Sequence, residues 1–315
     1  IVFTNYCRGA TTTRVFGEVI CRNLREPILQ VVYIKTARDL ADQMRSDMPE
    51  FNGNRSNLEK HILKCLAEEE NFEKYMEYIH HPQKHFEHFI TEKVNKYITE
   101  NNTTVLNLFK GNLKHKEQGV LNAVHIAAEK VKNSCGDADM WLISFTSSLK
   151  DELSLTEMMS ELHKSFNSVK DIEMEKFRKK PDEILIEHLS RYCWVQCPFC
   201  KAICTNTDDH DGDHSIPFHR VDGITGMPYR GTANFPNDLC TTLVQSNQSF
   251  HPHHKPEKSV PYKSYRAAGG KYATWSITPD NSQHAYWKWF VCRFQKDLEK
   301  KFTKERAIDS LDEYI

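Results

Sequence analysis

Four residues between positions 197 and 219 have the types and spacing of a metal centre. Cys197-Pro-Phe-Cys200 is followed after thirteen residues by His214 and after four more by His219. This pattern, C-x2-C-x13-H-x4-H, lies in the spacing window of structural zinc. Two thiolates separated by two residues can chelate from one tight turn, here shaped by Pro198. Two imidazoles five residues apart can close a tetrahedron from a second turn. Zn²⁺ has no ligand-field preference of its own, so the chain sets the geometry. The expected cofactor is therefore a structural Zn²⁺ held by Cys197, Cys200, His214 and His219. Cys193, Cys204, His210 and Cys240 are each able to replace one member of that set. Asp211 and Asp213 flank His214, and either carboxylate could orient a ligand imidazole.

Other readings of the same stretch are weaker. Asp209-His-Asp-Gly-Asp-His214 resembles the start of a calcium loop, but Arg220 stands where such a loop needs Glu. A catalytic zinc keeps one position open for water, whereas four good protein ligands argue for a closed site. Ala268-Gly-Gly-Lys-Tyr272 lacks the first Gly and the final Ser or Thr of a phosphate loop, so a turn is expected there. His81, His85 and His88 fall near one helical face, but no Glu or Cys supports them as a metal trio, and Pro82 disrupts the turn carrying His81. No catalytic triad or carboxylate pair stands out.

The elements that must position the zinc segment divide into two textures. Residues 1–190 carry apolar side chains at helical period. Leu58, Ile62, Leu66, Phe72, Tyr75, Met76 and Ile79 form one stripe, behind a Ser56/Glu59 capping-box spacing. Pro82 marks a helix boundary, and Phe86, Phe89, Ile90, Val94 and Tyr97 form the next stripe. Val105–Val131 and Met140–Val169 predict further helices, giving a bundle of long antiparallel helices. Lys179-Lys180-Pro181-Asp182 is the clearest break. From Tyr192 to about residue 283, Gly, Pro, Cys, His and aromatic residues replace helical periodicity. A last amphipathic helix then carries Trp287, Phe290, Val291, Phe294, Leu298 and Phe302, with Ser282 as N-cap. The predicted fold class is mainly α with a C-terminal α+β module. A helical stalk-like bundle takes 1–181, a zinc-binding module 182–306 and a tail 307–315.

Hydrophobic residues make up 39% of the 315 and charged residues 27%, a balance that predicts a soluble globular chain. No apolar run is long enough to span a bilayer. The start at Ile1, with no leader, predicts a piece of a longer polypeptide. Net charge is −1, so whole-chain electrostatics select no partner class. Ten cysteines with four crowded into 193–204 point to metal rather than disulfides, and to a reducing compartment. The isolated Cys7, Cys21, Cys65 and Cys135 are expected as buried thiols, and the sequons at Asn101 and Asn102 carry no meaning in such a compartment. Residues 255–306 hold twelve Lys or Arg against five Asp or Glu, interleaved with Tyr262, Tyr265, Tyr272, Trp275, Tyr286, Trp287 and Trp289. That composition suits nucleic-acid binding, or equally a helix with an aromatic core face and a solvated basic face.

Two long segments, Cys193–Thr207 and His210–Arg220, closely resemble the C-terminal region of the interferon-inducible very large GTPases. Tyr272-Ala-Thr-Trp-Ser-Ile-Thr-Pro-Asp280 and Tyr286-Trp-Lys-Trp-Phe-Val-Cys292 fit the same family. The resemblance is strong over about 190–295. Asn5-Tyr-Cys-Arg-Gly9 and Asn71-Phe-Glu-Lys-Tyr75 extend it to the helical region that follows the GTPase domain in these proteins. It implies a cytosolic, dynamin-related large GTPase of cell-autonomous immunity, whose nucleotide motifs lie upstream and are absent here. The expectation is a non-catalytic scaffold or recognition region with structural zinc. Its expected partners are further copies of itself and the upstream GTPase domain of the same chain. A nucleic-acid or microbial surface, or a zinc-dependent enzyme such as a ubiquitin ligase or hydrolase, are the alternatives. The expected location is the cytoplasm, with the nucleus left open.

Overall fold

The computed structural model describes residues 13–134, 153–189, 191–207, 209–225, 238–252, 259–280 and 285–302. Cys7, Cys135, Asn5–Gly9, Ser282, residues 140–152 and the tail 307–315 lie outside them. The chain is mainly helical, and among the described residues the paired strands are the two-residue β1 (Ser249–Phe250) and β2 (Val260–Pro261), antiparallel. None of the described helices is long and apolar enough to cross a membrane.

The described helices are α1 (Thr13–Asp47), α2 (Arg55–Glu69), α3 (Phe72–His80), α4 (Pro82–Glu100), α5 (Asn102–Ser134), α6 (Leu153–Ser165), α7 (Pro181–Leu189), the four-residue α8 (Cys240–Leu243) and α9 (Ala285–Arg293). Their ends follow local chemistry. Asn54 caps α2 by accepting from the Asn57 N–H at 3.2 Å, so the cap falls two residues before the Ser56 expected from spacing. Asn71 caps α3 in the same way, accepting from the Lys74 N–H. Pro82 and Pro181 stand at the first positions of α4 and α7, where a missing N–H costs nothing.

The residues group into two compact units. The first comprises residues 1–51 and 90–186. Its core joins Val32, Tyr33, Leu40 and Met44 of α1, Val105, Phe109 and Leu113 of α5, and Met159 and Leu162 of α6. Tyr33 packs against Phe109 and Phe177 with ring centres 5.5 and 5.0 Å apart, and Phe109 meets Phe166 at 4.7 Å. One polar pin crosses this apolar interior. The Asn112 amide donates to Thr36 Oγ1 at 3.2 Å and to Asp39 Oδ2 at 2.8 Å.

The second unit comprises residues 52–89 and 187–315. This grouping cuts across the expected boundary at 181, because α2 and α3 share a core with the Cys/His segment and α9. Tyr75 stacks obliquely on Phe290 and Phe294 at 4.8 and 5.4 Å. Its hydroxyl lies 2.6 Å from that of Tyr286, which in turn donates to the Leu63 carbonyl. Leu58, Ile62 and Leu66 are buried, as are Trp287, Phe290, Phe294 and Leu298. Full burial of each such side chain contributes roughly 1.5–3 kcal/mol. Of the isolated cysteines, Cys21 is buried in α1 and Cys65 is half-buried in α2.

Candidate metal centres

Residues 192–207 fold back on themselves as an antiparallel ribbon. Tyr192 pairs with Thr207 and Gln196 with Ile203. The Cys193 N–H donates to the Asn206 carbonyl and the Cys204 N–H to that of Val195, both at 2.9 Å. At the tip, the Cys197 N–H donates to Ala202 and the Lys201 N–H donates back to Cys197. Lys201 takes a left-handed φ of +58°, which tightens the turn after Cys200. The register therefore puts Cys193 opposite Asn206 and Cys204 opposite Val195, which makes the two cysteines diagonal neighbours at the stem, and holds Cys197 beside Cys200 at the tip.

Two further segments bring the remaining ligands. The stretch after His219 pairs with the stretch before Cys240, through Val221 with Leu239 and the Asp222 N–H on the Asp238 carbonyl. His214 is pinned by its backbone to 274–276: its N–H donates to the Thr274 carbonyl, and its carbonyl accepts from Ser276. Trp275, fully buried, lies against both imidazoles, 5.7 Å from the His214 ring and 6.2 Å from that of His219.

Two groups of four potential ligand atoms result, each with its atoms within 4.8 Å of one another. The tip quartet is Cys197, Cys200, His219 and Cys240, all buried; the stem quartet is Cys193, Cys204, His210 and His214. Three of the four expected residues thus converge, with Cys240 as the fourth. His214 is placed in the other quartet, beside Cys193, Cys204 and His210. Along an extended strand, the four-residue step from Cys193 to Cys197 spans about 13 Å, so one ion cannot serve both.

The donor atoms converge on a common point in each quartet. In the tip, His219 Nδ1 faces Cys200 Sγ at 3.3 Å and Cys240 Sγ at 3.0 Å. In the stem, His214 Nδ1 faces His210 Nε2 at 3.1 Å and Cys193 Sγ at 3.4 Å, while His210 Nε2 lies 3.9 Å from Cys204 Sγ. A ring nitrogen has one in-plane lone pair or hydrogen, which cannot point at two partners at once. A central ion removes the conflict. Ligands ~2.0–2.3 Å from a zinc ion form a tetrahedron with edges of about 3.3–3.8 Å, close to the separations seen. The residues present fit zinc in both places by number, type and spacing.

At the tip, electrostatics favour ionisation of one thiol and oppose that of the other two. Burial opposes ionisation of Cys200, but hydrogen bonds from Cys197, Cys240 and His219 hold its thiol well below the usual thiol range. Burial pushes Cys197 and Cys240 up. Nearby, burial raises the Asp222 carboxyl to about 7, where it accepts from the Tyr262 hydroxyl at 3.3 Å.

Two buried arginines tie the metal segments to the helices. Arg55, the first residue of α2, donates Nη1 to the Cys193 carbonyl at 2.8 Å and Nη2 to the Cys204 carbonyl. Its guanidinium lies over the rings of Tyr192 and Trp194 at 5.1 and 4.9 Å. One side chain therefore clamps both stem cysteines. Arg220, immediately after His219, donates to the Tyr78 hydroxyl at 2.6 Å and pairs with Glu59 at 3.4 Å. It also lies over the Tyr78 and Trp287 rings. Neither arginine is marked by local sequence, since each acts on partners far along the chain. Asp213 is engaged elsewhere than on an imidazole: its carboxylate pairs bidentately with Arg266.

Phe199, between the tip cysteines, nucleates an aromatic core of Phe250, Tyr262, Tyr265 and Tyr272, with ring centres 5.0–5.9 Å away. Tyr262, Tyr265, Tyr272, Trp275 and Trp287, read from sequence as possible stacking platforms, are buried. Gly269 and Gly270, both at positive φ, form the turn expected at 268–272. His85 packs edge-on against Tyr78, and His81 caps α3; with His88 they form no ligand group among the described residues.

Residues 193–312 match the family model of the interferon-induced very large GTPase 1 C-terminal domain. Both quartets lie inside that span. The chain is 40% identical to the mouse interferon-induced very large GTPase 1 and 35% identical to the human protein of that name, over 97% of its length in each case. The chain is thus similar to the interferon-induced very large GTPases over nearly its whole length, and its residues 193–312 match their C-terminal domain. It spans 14% of the length of each of these relatives. No solved structure matches it.

Proposed function

We propose that this chain is a non-catalytic scaffold and recognition region of a large interferon-inducible, dynamin-related GTPase of innate immunity, stapled by structural zinc. The observation that carries this reading is the tip quartet. Cys197, Cys200, His219 and Cys240 are all buried and supply four protein ligands, so a tetrahedral ion there has no position left for water. Zinc at such a site contributes to folding rather than to reaction. The hydrolase alternative needs an open coordination position, which four protein donors do not provide. The nucleic-acid alternative needs exposed rings, and five of the seven candidate aromatics are committed to the core.

In this reading the first unit mediates self-association in the cytoplasm or relays the state of the GTPase domain of the same protein. The similarity to the very large GTPases supports this, together with the long packed helices α1, α5 and α6. The test is to purify the 315-residue chain, assay it with GTP, and measure its zinc content by elemental analysis and its mass by light scattering. The expected result is no GTP turnover, zinc retained through gel filtration and a concentration-dependent oligomer. GTP hydrolysis by the chain would overturn the non-catalytic reading.

A further inference from the structure

We propose that the stem quartet, Cys193, Cys204, His210 and His214, is a second zinc site of different character, so that the chain carries two ions of unequal exchange. This rests on the same zinc reading of the ribbon as the tip, but on different residues. The stem donors are two sulphurs and two imidazoles, against three sulphurs and one imidazole at the tip. Their separations of 3.1, 3.4 and 3.9 Å approximate the edges of one tetrahedron, and two of the three meet at a single nitrogen, His214 Nδ1.

The surroundings hold the quartet in place through contacts of its own. Arg55 fixes the carbonyls of both cysteines. The 274–276 segment fixes the backbone of His214, and the Arg266–Asp213 pair anchors the adjoining residue. The Thr205 N–H donating to the Ser215 carbonyl closes the loop that carries both histidines.

Access separates the two centres. Every tip ligand is buried, whereas His210 and His214 are half-exposed. A chelator reaches the stem ion from the imidazole side without opening the core around Phe199. The stem is therefore the exchangeable centre and the tip the permanent one.

The test is zinc stoichiometry by native mass spectrometry on the full 315-residue chain, followed by a timed release with EDTA. Wild type is expected to carry two zinc ions and to lose them in two phases. The double variant Cys204→Ser/His210→Ala is expected to carry one and to lack the fast phase; Cys240→Ser is expected to lose the slow phase. One ion in wild type, unchanged in the double variant and lost in Cys240→Ser, would overturn the stem site and leave the tip standing. One ion kept by Cys240→Ser and lost from the double variant would support the stem and overturn the tip. Two ions released in a single phase would overturn the unequal exchange. The wild-type count decides the second site even where a variant fails to fold.

Discussion

The α1–α5–α6 unit and the Cys/His unit both bury aromatic and aliphatic side chains, yet they are closed by different forces. In the first, long helices present continuous apolar faces, and Tyr33, Phe109 and Met159 interlock across them. Each helix packs against a neighbour's face, and Asn112 links α5 to α1 through Thr36 and Asp39. In the second, regular structure among the described residues between 192 and 280 is limited to the four-residue α8, short 3-10 segments, isolated bridges and two-residue strands. Its core around Phe199 is small, and its loops are held by convergent ligands and by Arg55 and Arg220. On the proposed zinc reading, such a unit draws folding energy from its metal. On that reading the chain combines a packing-determined region with a ligation-determined one, and each is expected to fail under a different insult.

The sharpest way to break the comparison is chelation. Structural zinc supplies on the order of 10 kcal/mol of apparent binding energy in small domains. Prolonged chelation is expected to abolish hydrogen-exchange protection over 192–250 while leaving α1 and α5 protected. Equal loss in both units would remove the distinction. Next in size is Phe109→Ala. A cavity in the helical core is expected to cost about 3–5 kcal/mol in urea titration, with the zinc content unchanged.

Arg220→Met tests the second unit without touching a ligand. It leaves the half-buried Glu59 without its cation and the Tyr78 hydroxyl without its donor, and is expected to cost roughly 1–3 kcal/mol, read as a drop in melting temperature with metal still bound. Asn71→Ala removes the cap of α3 and is expected to cost about 1 kcal/mol. The smallest effect is in the first unit, at the turn where Asp171 accepts from the N–H groups of Ser168 and Asn167 at 2.6 and 2.8 Å. Those bonds hold the Asp171 carboxyl below its ordinary range. Its contribution is thus present above the unfolded carboxylate value of about 4 and is lost as pH falls through the lower folded value. Asp171→Asn is expected to flatten that acid-side loss, measured as stability against pH from 7 to 2.

Much of the helical region was legible because period survives in sequence: Leu58, Ile62 and Leu66, or Phe86, Ile90 and Val94, mark the faces that are buried. The Cys/His segment was legible as ligand-rich, but its sorting was not. Spacing joins Cys197 and Cys200 to the nearest histidine pair, His214 and His219. The ribbon's register, not proximity along the chain, divides the two histidines between the quartets. A signal was present in the symmetry C-x3-C-x2-C-x3-C across 193–204, which a hairpin converts into nested pairs. Cys240 reaches the tip through the pairing of Val221 with Leu239, which no local pattern encodes. The alliance of α2 and α3 with the metal segment was illegible for the same reason. Arg55 and Arg220 are ordinary surface residues until contacts more than a hundred positions away bury them. The basic-aromatic composition of 255–306 pointed outward, but most of its rings were needed inside, where a small core lacks aliphatic mass.

The central claim is that the second unit is held by closed zinc centres made wholly of protein atoms. Zinc K-edge X-ray absorption on the purified chain tests it most directly. The account predicts four-coordinate zinc with sulphur at about 2.3 Å and nitrogen at about 2.0 Å, and no water oxygen. An oxygen-rich or five- to six-coordinate shell would contradict it.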